Sequence, residues 1–111
     1  MAKSTTNRWP PPPDLASLKE LFATADVEGL IAEEAPIDEY DPEARHFFEA
    51  INGYGPSELI CKQTLPILEQ IWEKQFMLDA TQMTKRRPAL LGLAEQIERF
   101  FGPEARPQVR S

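Results

Sequence analysis

The chain has 111 residues, a length typical of one domain, and its 12 basic and 18 acidic residues give a formal net charge of −6. This acidic balance argues against a general nucleic-acid binder, because phosphate contacts require a basic face. No segment approaches the roughly 20 apolar residues that a membrane span requires. The polar first residues lack the apolar core of a signal peptide. We therefore expect a cytoplasmic protein that binds neither nucleic acid nor membranes.

Residues 1–13 are predicted to form a disordered tail that contains a proline-rich stretch, Arg8 to Pro13. Consecutive prolines fix φ and remove backbone donors, which favours a polyproline II conformation. Two interpretations stay open: a stiff spacer or terminus that lies on the domain with Trp9 as an anchor, or a ligand for a proline-recognition domain. Residues 103–111 are predicted to form a polar disordered tail, which leaves residues 14–102 as a single domain.

Apolar residues at helical spacing predict helices through the first half of the domain. Asp14 is a suitable N-cap for the first helix, and Asp26 for a short second helix that ends at Pro36. A third helix is expected to begin with Asp41 at the N-cap and Pro42 in the first turn. Its apolar stripe consists of Ala44, Phe47, Phe48 and Ile51.

The second half of the domain is also predicted to be helical. After a turn, residues 56–62 begin one helix and Thr64 caps a stronger one. The last helix spans residues 88–101, and Gly92 inside it suggests close helix packing as compensation for its low helix propensity. No alternating strand pattern of useful length occurs. The predicted fold is all-α, a compact bundle of four to five short helices.

An acidic stretch, residues 26–50, carries nine acidic residues and one arginine. Its spacing and its stiffening Pro36 do not match a calcium loop, which needs ligands at fixed offsets and a glycine at the turn. A capped and solvated loop, a protein-docking surface and a site for a hard cation are the interpretations considered. Tyr40 is expected to bury its ring and keep its hydroxyl in solvent.

A basic triplet, Lys85-Arg86-Arg87, precedes Pro88. Three basic residues are too few to argue for nucleic-acid binding. We expect them to match acidic residues of the same or a neighbouring molecule, namely Asp38, Glu39 and Asp41. The residues predicted to bind a partner are therefore Glu34, Asp38, Glu39, Tyr40, Asp41, Lys85, Arg86 and Arg87.

Catalytic motifs are missing from the sequence. Glu43 and His46 form a Glu-x-x-His pair, but a di-iron bundle needs two such pairs and the chain has one histidine. Cys61 is expected to be a buried or half-buried residue without a lowered pKa. No glycine-rich phosphate loop or nucleophile motif occurs. We predict no enzymatic activity, no cofactor and no bound metal.

The string from Ala35 to Glu43, Ala-Pro-Ile-Asp-Glu-Tyr-Asp-Pro-Glu, resembles a motif of a small bacterial family of short helical proteins of unknown function. The resemblance covers roughly residues 26–101 and includes Trp72 and Phe76. It implies an all-α bundle. It assigns no activity and supplies no catalytic residues.

These observations predict a non-enzymatic helical domain that binds a protein partner, or a second copy of itself, through the acidic segment. An immunity-type or antitoxin-type inhibitor is one form of this function, because an acidic surface complements a basic active site and speeds association. The alternative is a carboxylate-based metal-binding protein or a small enzyme.

Overall fold

A computed structural model describes residues 12–105 of the chain. Within this range four α-helices follow in order: α1 (Leu15–Ala25), α2 (Asp41–Ala50), α3 (Cys61–Phe76) and α4 (Ala80–Phe101), with a short 3-10 helix at Pro56–Glu58. The predicted all-α bundle is confirmed, and the described part of the chain contains no strand. Most of the two predicted tails lies outside the described residues. No helix between residues 12 and 105 is long and apolar enough to cross a membrane.

Helix α1 begins at the predicted cap. The Asp14 carboxylate accepts hydrogen bonds from the Ser17 hydroxyl at 2.6 Å and the Ser17 N–H at 3.2 Å, and these bonds lower the pKa of Asp14. The helix ends at Ala25, and Asp26 adopts the left-handed conformation with φ of 43°. Its N–H donates to the Phe22 carbonyl and closes the last turn.

The predicted short helix after Asp26 is wrong, because residues 27–34 form a series of turns. The Asp26 carboxylate accepts hydrogen bonds from the N–H groups of Ile31 at 3.0 Å and Ala32 at 2.9 Å. These bonds give the backbone an alternative to helical pairing. Gly29 and Glu34 both have φ of 74°, which a right-handed helix does not allow.

Helix α2 begins one residue away from the predicted cap. Tyr40 occupies the N-cap position without a side-chain cap bond, and Asp41 is the first helical residue, followed by Pro42. Asp41 there lies in the first turn, where the helix dipole favours a negative charge. The predicted apolar stripe is buried at Ala44, Phe47 and Ile51, whereas Phe48 is exposed.

Helix α3 begins at Cys61, so the prediction that Thr64 caps it is wrong. Thr64 is buried inside the helix, where its hydroxyl donates to the Ile60 carbonyl at 3.2 Å. The N-terminus of α3 receives its acceptor from α4 instead, because the Cys61 N–H donates to Oε1 of Glu98 at 2.8 Å. Of the helix predicted over residues 56–62, Pro56–Glu58 form the 3-10 helix and residues 61–62 belong to α3, whereas residues 59 and 60 are not helical.

Helix α4 begins at Ala80 and not at Pro88. Asp79 and Gln82 form a capping box: Asp79 Oδ1 accepts from the Gln82 N–H at 2.8 Å, and Gln82 Oε1 accepts from the Asp79 N–H at 2.9 Å. Pro88 is accommodated inside the helix. The basic triplet therefore lies on a helix, and its three consecutive side chains point in different directions.

The four helices enclose one apolar core. At its centre the Trp72 ring lies 5.9 Å from Phe22 of α1, 6.1 Å from Tyr40 and 5.6 Å from Phe76, measured between ring centroids. Such separations are typical of packed aromatic pairs. The core brings the start of α2 and the C-terminal half of α3 together, and this arrangement positions the acidic segment.

Candidate functional site

The predicted acidic segment lies in the connection between α1 and α2, residues 26–40, which we call the acidic loop. Four of its carboxylates are exposed, and between the two pairs stands Ile37, an apolar side chain with 77% of its surface exposed. The four exposed carboxylates belong to Glu33, Glu34, Asp38 and Glu39. Ile37 is thus a single exposed apolar side chain within an acidic face.

The inner side of the acidic loop is held in place by hydrogen bonds to the Tyr40 hydroxyl. This hydroxyl donates to Oδ1 of Asp26 at 2.7 Å and accepts from the N–H groups of Glu28 at 2.9 Å and Leu30 at 3.4 Å. The ring is buried, as predicted. The prediction of a solvent-exposed hydroxyl is wrong, because the loop folds over it and supplies three hydrogen-bond partners, two backbone N–H groups and the Asp26 carboxylate.

The electrostatics of this contact favour an ionised Asp26 and a protonated Tyr40. Burial, and then the hydrogen bond to Asp26, raise the pKa of Tyr40 to about 12. Burial also opposes ionisation of Asp26, but the hydrogen bonds from Tyr40, Ile31 and Ala32 outweigh it and lower the pKa of Asp26. The contact therefore keeps one charge arrangement throughout the neutral pH range.

Glu28 connects the loop to the two longest helices. Its Oε2 atom accepts from Nε1 of Trp72 at 2.9 Å and from Nε of Arg86 at 2.8 Å. The Glu28 side chain is 9% exposed and that of Arg86 28% exposed, so this ion pair is partly withdrawn from water. The hydrogen bond to Glu28 raises the pKa of Arg86. We call Asp26, Glu28, Tyr40, Trp72 and Arg86 the polar anchor of the loop.

Within one molecule, the predicted match between the basic triplet and Asp38, Glu39 and Asp41 is wrong. Arg86 pairs with Glu28, and Nε of Arg87 lies 2.6 Å from Oε2 of Glu69 on α3. The Asp41 carboxylate lies 3.4 Å from Nζ of Lys19 on α1. Lys85 is exposed. The side chains of Lys85, Arg86 and Arg87 point in different directions because consecutive residues of a helix lie about 100° apart around its axis. A match between two molecules stays a prediction.

Glu43 is buried directly after the loop. The residue is 5% exposed, and its Oε1 atom has no hydrogen-bond partner among residues 12–105. Burial raises its pKa, and the nearby charges of Glu39 and Glu28 act in the same direction. His46, the second member of the Glu-x-x-His pair, is exposed. The charge of His46 acts against the rise in the pKa of Glu43, but within residues 12–105 the pair belongs to no group of side chains that could hold a metal ion.

The remaining candidate ligands lie apart from one another. In the described part of the chain, no three His, Cys, Asp or Glu side chains converge to hold a metal ion. Cys61 is half-buried, as expected, and burial and the adjacent Glu98 raise its pKa to about 11. Such a thiol is almost entirely protonated at neutral pH, and the thiolate is the reactive form.

Three members of the polar anchor, Asp26, Glu28 and Trp72, were not among the predicted site residues. The string Asp26-Val-Glu-Gly29 contains a local signal for a turn, because Asp side chains bond to following N–H groups and glycine tolerates positive φ. The bonds from Glu28 to Trp72 and Arg86 bridge 44 and 58 positions along the chain. No local pattern indicates those partners.

Comparisons with known proteins found no match to a family model, a curated protein or a solved structure. The resemblance of Ala35 to Glu43 to a bacterial family stays a prediction.

Proposed function

We propose that the protein is a non-enzymatic binding module whose acidic loop docks on a basic surface of another protein. The observation that supports this proposal is that one side of the loop is charged and exposed, while hydrogen bonds hold its inner side against the bundle. Ile37 and four carboxylates face solvent, while Tyr40 and Glu28 hold the backbone from within.

The hydrogen bonds on the inner side of the loop favour binding, because a loop that is already ordered loses little conformational freedom when a partner docks. Ile37 offers an apolar anchor, and burial of such a side chain at the centre of an interface contributes most to affinity. The flanking carboxylates add charge complementarity, which increases the association rate with a basic partner. An inhibitor of the immunity or antitoxin type, which covers a basic active site, is the concrete form that fits this chemistry.

The test compares two variants of equal charge. The loop variant carries Glu33→Gln, Glu34→Gln, Asp38→Asn and Glu39→Gln, and the control variant carries Glu20→Gln, Glu49→Gln, Glu73→Gln and Glu95→Gln. All eight side chains are exposed. None of these eight carboxylates makes a hydrogen bond or ion pair within residues 12–105, so both variants are expected to fold.

Affinity capture from native lysate, followed by binding kinetics with the purified partner, is the measurement. We expect a partner that the wild type and the control variant bind and the loop variant does not, with an association rate that falls as salt rises. Ile37→Ser is expected to increase the dissociation rate.

A partner that binds the loop variant as tightly as the control would contradict the proposal, as would the absence of any specific partner. The metal alternative has its own readout in the same variants. A melting temperature that rises with Mg²⁺, Ca²⁺ or Mn²⁺ in the wild type and not in the loop variant would support a cation site instead.

A further inference from the structure

A largely apolar groove lies between α1 and α4, and none of the residues that line it belongs to the acidic loop or its polar anchor. Its volume is about 380 Å³, and one wall belongs to the C-terminal half of α1. The residues that line it include Leu21, Ala25, Ala89, Gly92, Leu93 and Gln96. Leu21 and Ala25 are only partly buried, so apolar surface of both helices remains open there.

Gly92 leaves part of this groove empty. The sequence predicts close helix packing at Gly92, and this is wrong, because a Cβ built there meets no atom within 4 Å. Gly92 lies inside α4 without a positive φ, where glycine weakens a helix relative to alanine. No contact among residues 12–105 explains the missing side chain, and the groove beside it has room for a further group.

The N-terminal segment has the length and composition to supply that group. Pro13 is half-buried and precedes the Asp14 cap, and Leu18 is buried in the first turns of α1. These are the N′ and N4 positions, at which a contact of the hydrophobic-staple type would set the angle of entry into the helix. The residues before Pro12 lie outside the described range, and they include Trp9.

The length of the proline-rich segment matches the distance along α1 from Asp14 to the groove. A polyproline II segment rises about 3.1 Å per residue, so the five residue steps between positions 9 and 14 would span about 16 Å in that conformation. Helix α1 rises about 1.5 Å per residue, so Leu21 to Ala25 lie about 10 to 16 Å from the same cap. A proline-rich segment that runs back along α1 therefore brings Trp9 beside the groove.

We propose that residues 8–13 fold back along α1 and that the Trp9 indole occupies the groove between α1 and α4, beside Gly92. The docked segment covers the apolar surface of the groove. The same contact keeps the proline-rich stretch on the domain and withholds it from proline-recognition partners. The occupant is thus a segment of the same chain, and the proposal is independent of the acidic loop.

The test uses the full chain and urea unfolding. Trp9→Ser is expected to increase the unfolding equilibrium constant by about tenfold or more, because it exposes an aromatic ring and the groove. Trp9→Phe is expected to retain most of the stability, and the neighbouring Arg8→Ser to leave the urea midpoint unchanged. In a Gly92→Leu background, in which the groove is filled, Trp9→Ser is expected to have little further effect.

Nuclear Overhauser effects between the Trp9 indole and the methyl groups of Leu21 and Leu93 provide the direct readout. The buried Trp72 ring beside Phe22 serves as the internal positive control. An unchanged urea midpoint in Trp9→Ser, or the absence of these effects while those of Trp72 are present, would overturn the proposal. Effects seen only between differently labelled molecules, with concentration-dependent stability, would assign the groove to a second copy and overturn it as well.

Discussion

Asp26 and Glu43 are carboxylates on either side of the same segment, and their surroundings affect folding in opposite directions. Asp26 accepts hydrogen bonds from Tyr40, Ile31 and Ala32, and its pKa is lowered. Oε1 of Glu43 has no partner among the described residues, and the pKa of that group is raised. The difference arises because burial opposes ionisation of both carboxyl groups, and only at Asp26 do hydrogen-bond donors that replace water outweigh this effect.

We predict that Glu43→Met increases the free energy of unfolding by about 1–3 kcal/mol at pH 7, because it removes a buried acceptor without a partner. The folded-state pKa of Glu43 lies above its ordinary value of 4.5. Its protonation therefore stabilises the wild type fully below about that value, and this contribution is lost as the pH rises through the raised pKa. The advantage of Glu43→Met should shrink from neutral pH toward pH 4.

Urea unfolding of both proteins across this pH range is the measurement. Glu49→Met, at an exposed position of the same helix, is the control, and we expect no pH-dependent gain from it. A gain from Glu43→Met that is equal at all pH values, or a loss of stability, would contradict the prediction.

Several hydrogen bonds between different secondary-structure elements fix where an element begins or how it is positioned. Glu98 of α4 accepts the first N–H of α3 across 37 positions of the chain, where the N-cap residue Ile60 makes no side-chain cap bond. Arg86 of α4 and Trp72 of α3 hold Glu28 of the acidic loop. Elements joined in this way depend on the packing of the bundle for their exact position.

Arg86 and Arg87 are adjacent on α4 but should differ in their effect on stability. The Arg86–Glu28 pair has side chains 28% and 9% exposed, and the Arg87–Glu69 pair 56% and 24% exposed. We predict that Arg86→Met lowers the free energy of unfolding by about 1–3 kcal/mol, because Glu28 keeps a charge with one donor fewer. We expect Arg87→Met to lower the free energy of unfolding by less than about 1 kcal/mol, because exposed ion pairs usually contribute no more than that to stability.

Equilibrium urea unfolding of the two variants at low and moderate salt distinguishes these effects. Faster amide hydrogen exchange at Glu28 and Leu30 in Arg86→Met alone would show that the loop is released. Equal losses in the two variants would mean that the polar anchor does not depend on Arg86.

At the scale of the whole domain, Trp72 joins several elements of the described part of the chain. Its ring packs between Phe22 of α1, Tyr40 of the loop and Phe76 of its own helix, and its indole N–H donates to Glu28. A domain of this size has one core, and small domains unfold cooperatively. The acidic loop should therefore unfold together with the bundle.

We predict that Trp72→Ala lowers the free energy of unfolding by about 3–5 kcal/mol. This loss is a large part of the total free energy of unfolding of a domain, which is about 5–15 kcal/mol. Trp72→Phe should cost less, since it retains ring packing and loses the bond to Glu28. Phe48→Ala, at an exposed aromatic position, should change stability by less than about 1 kcal/mol. Far-UV circular dichroism with urea gives these values, and a small loss for Trp72→Ala would contradict a core centred on this residue.

The sequence by itself determined the features that depend on neighbouring residues. The all-α class follows from apolar spacing, α1 begins at Asp14 because the cap bonds bridge three positions, and Pro42 marks the first turn of α2. Only the tertiary structure decided where α3 begins, how Glu28 holds the acidic loop against α3 and α4, and which carboxylates Arg86 and Arg87 meet. Those features depend on partners 18 to 58 positions away, which helix packing brings together and a local pattern does not encode.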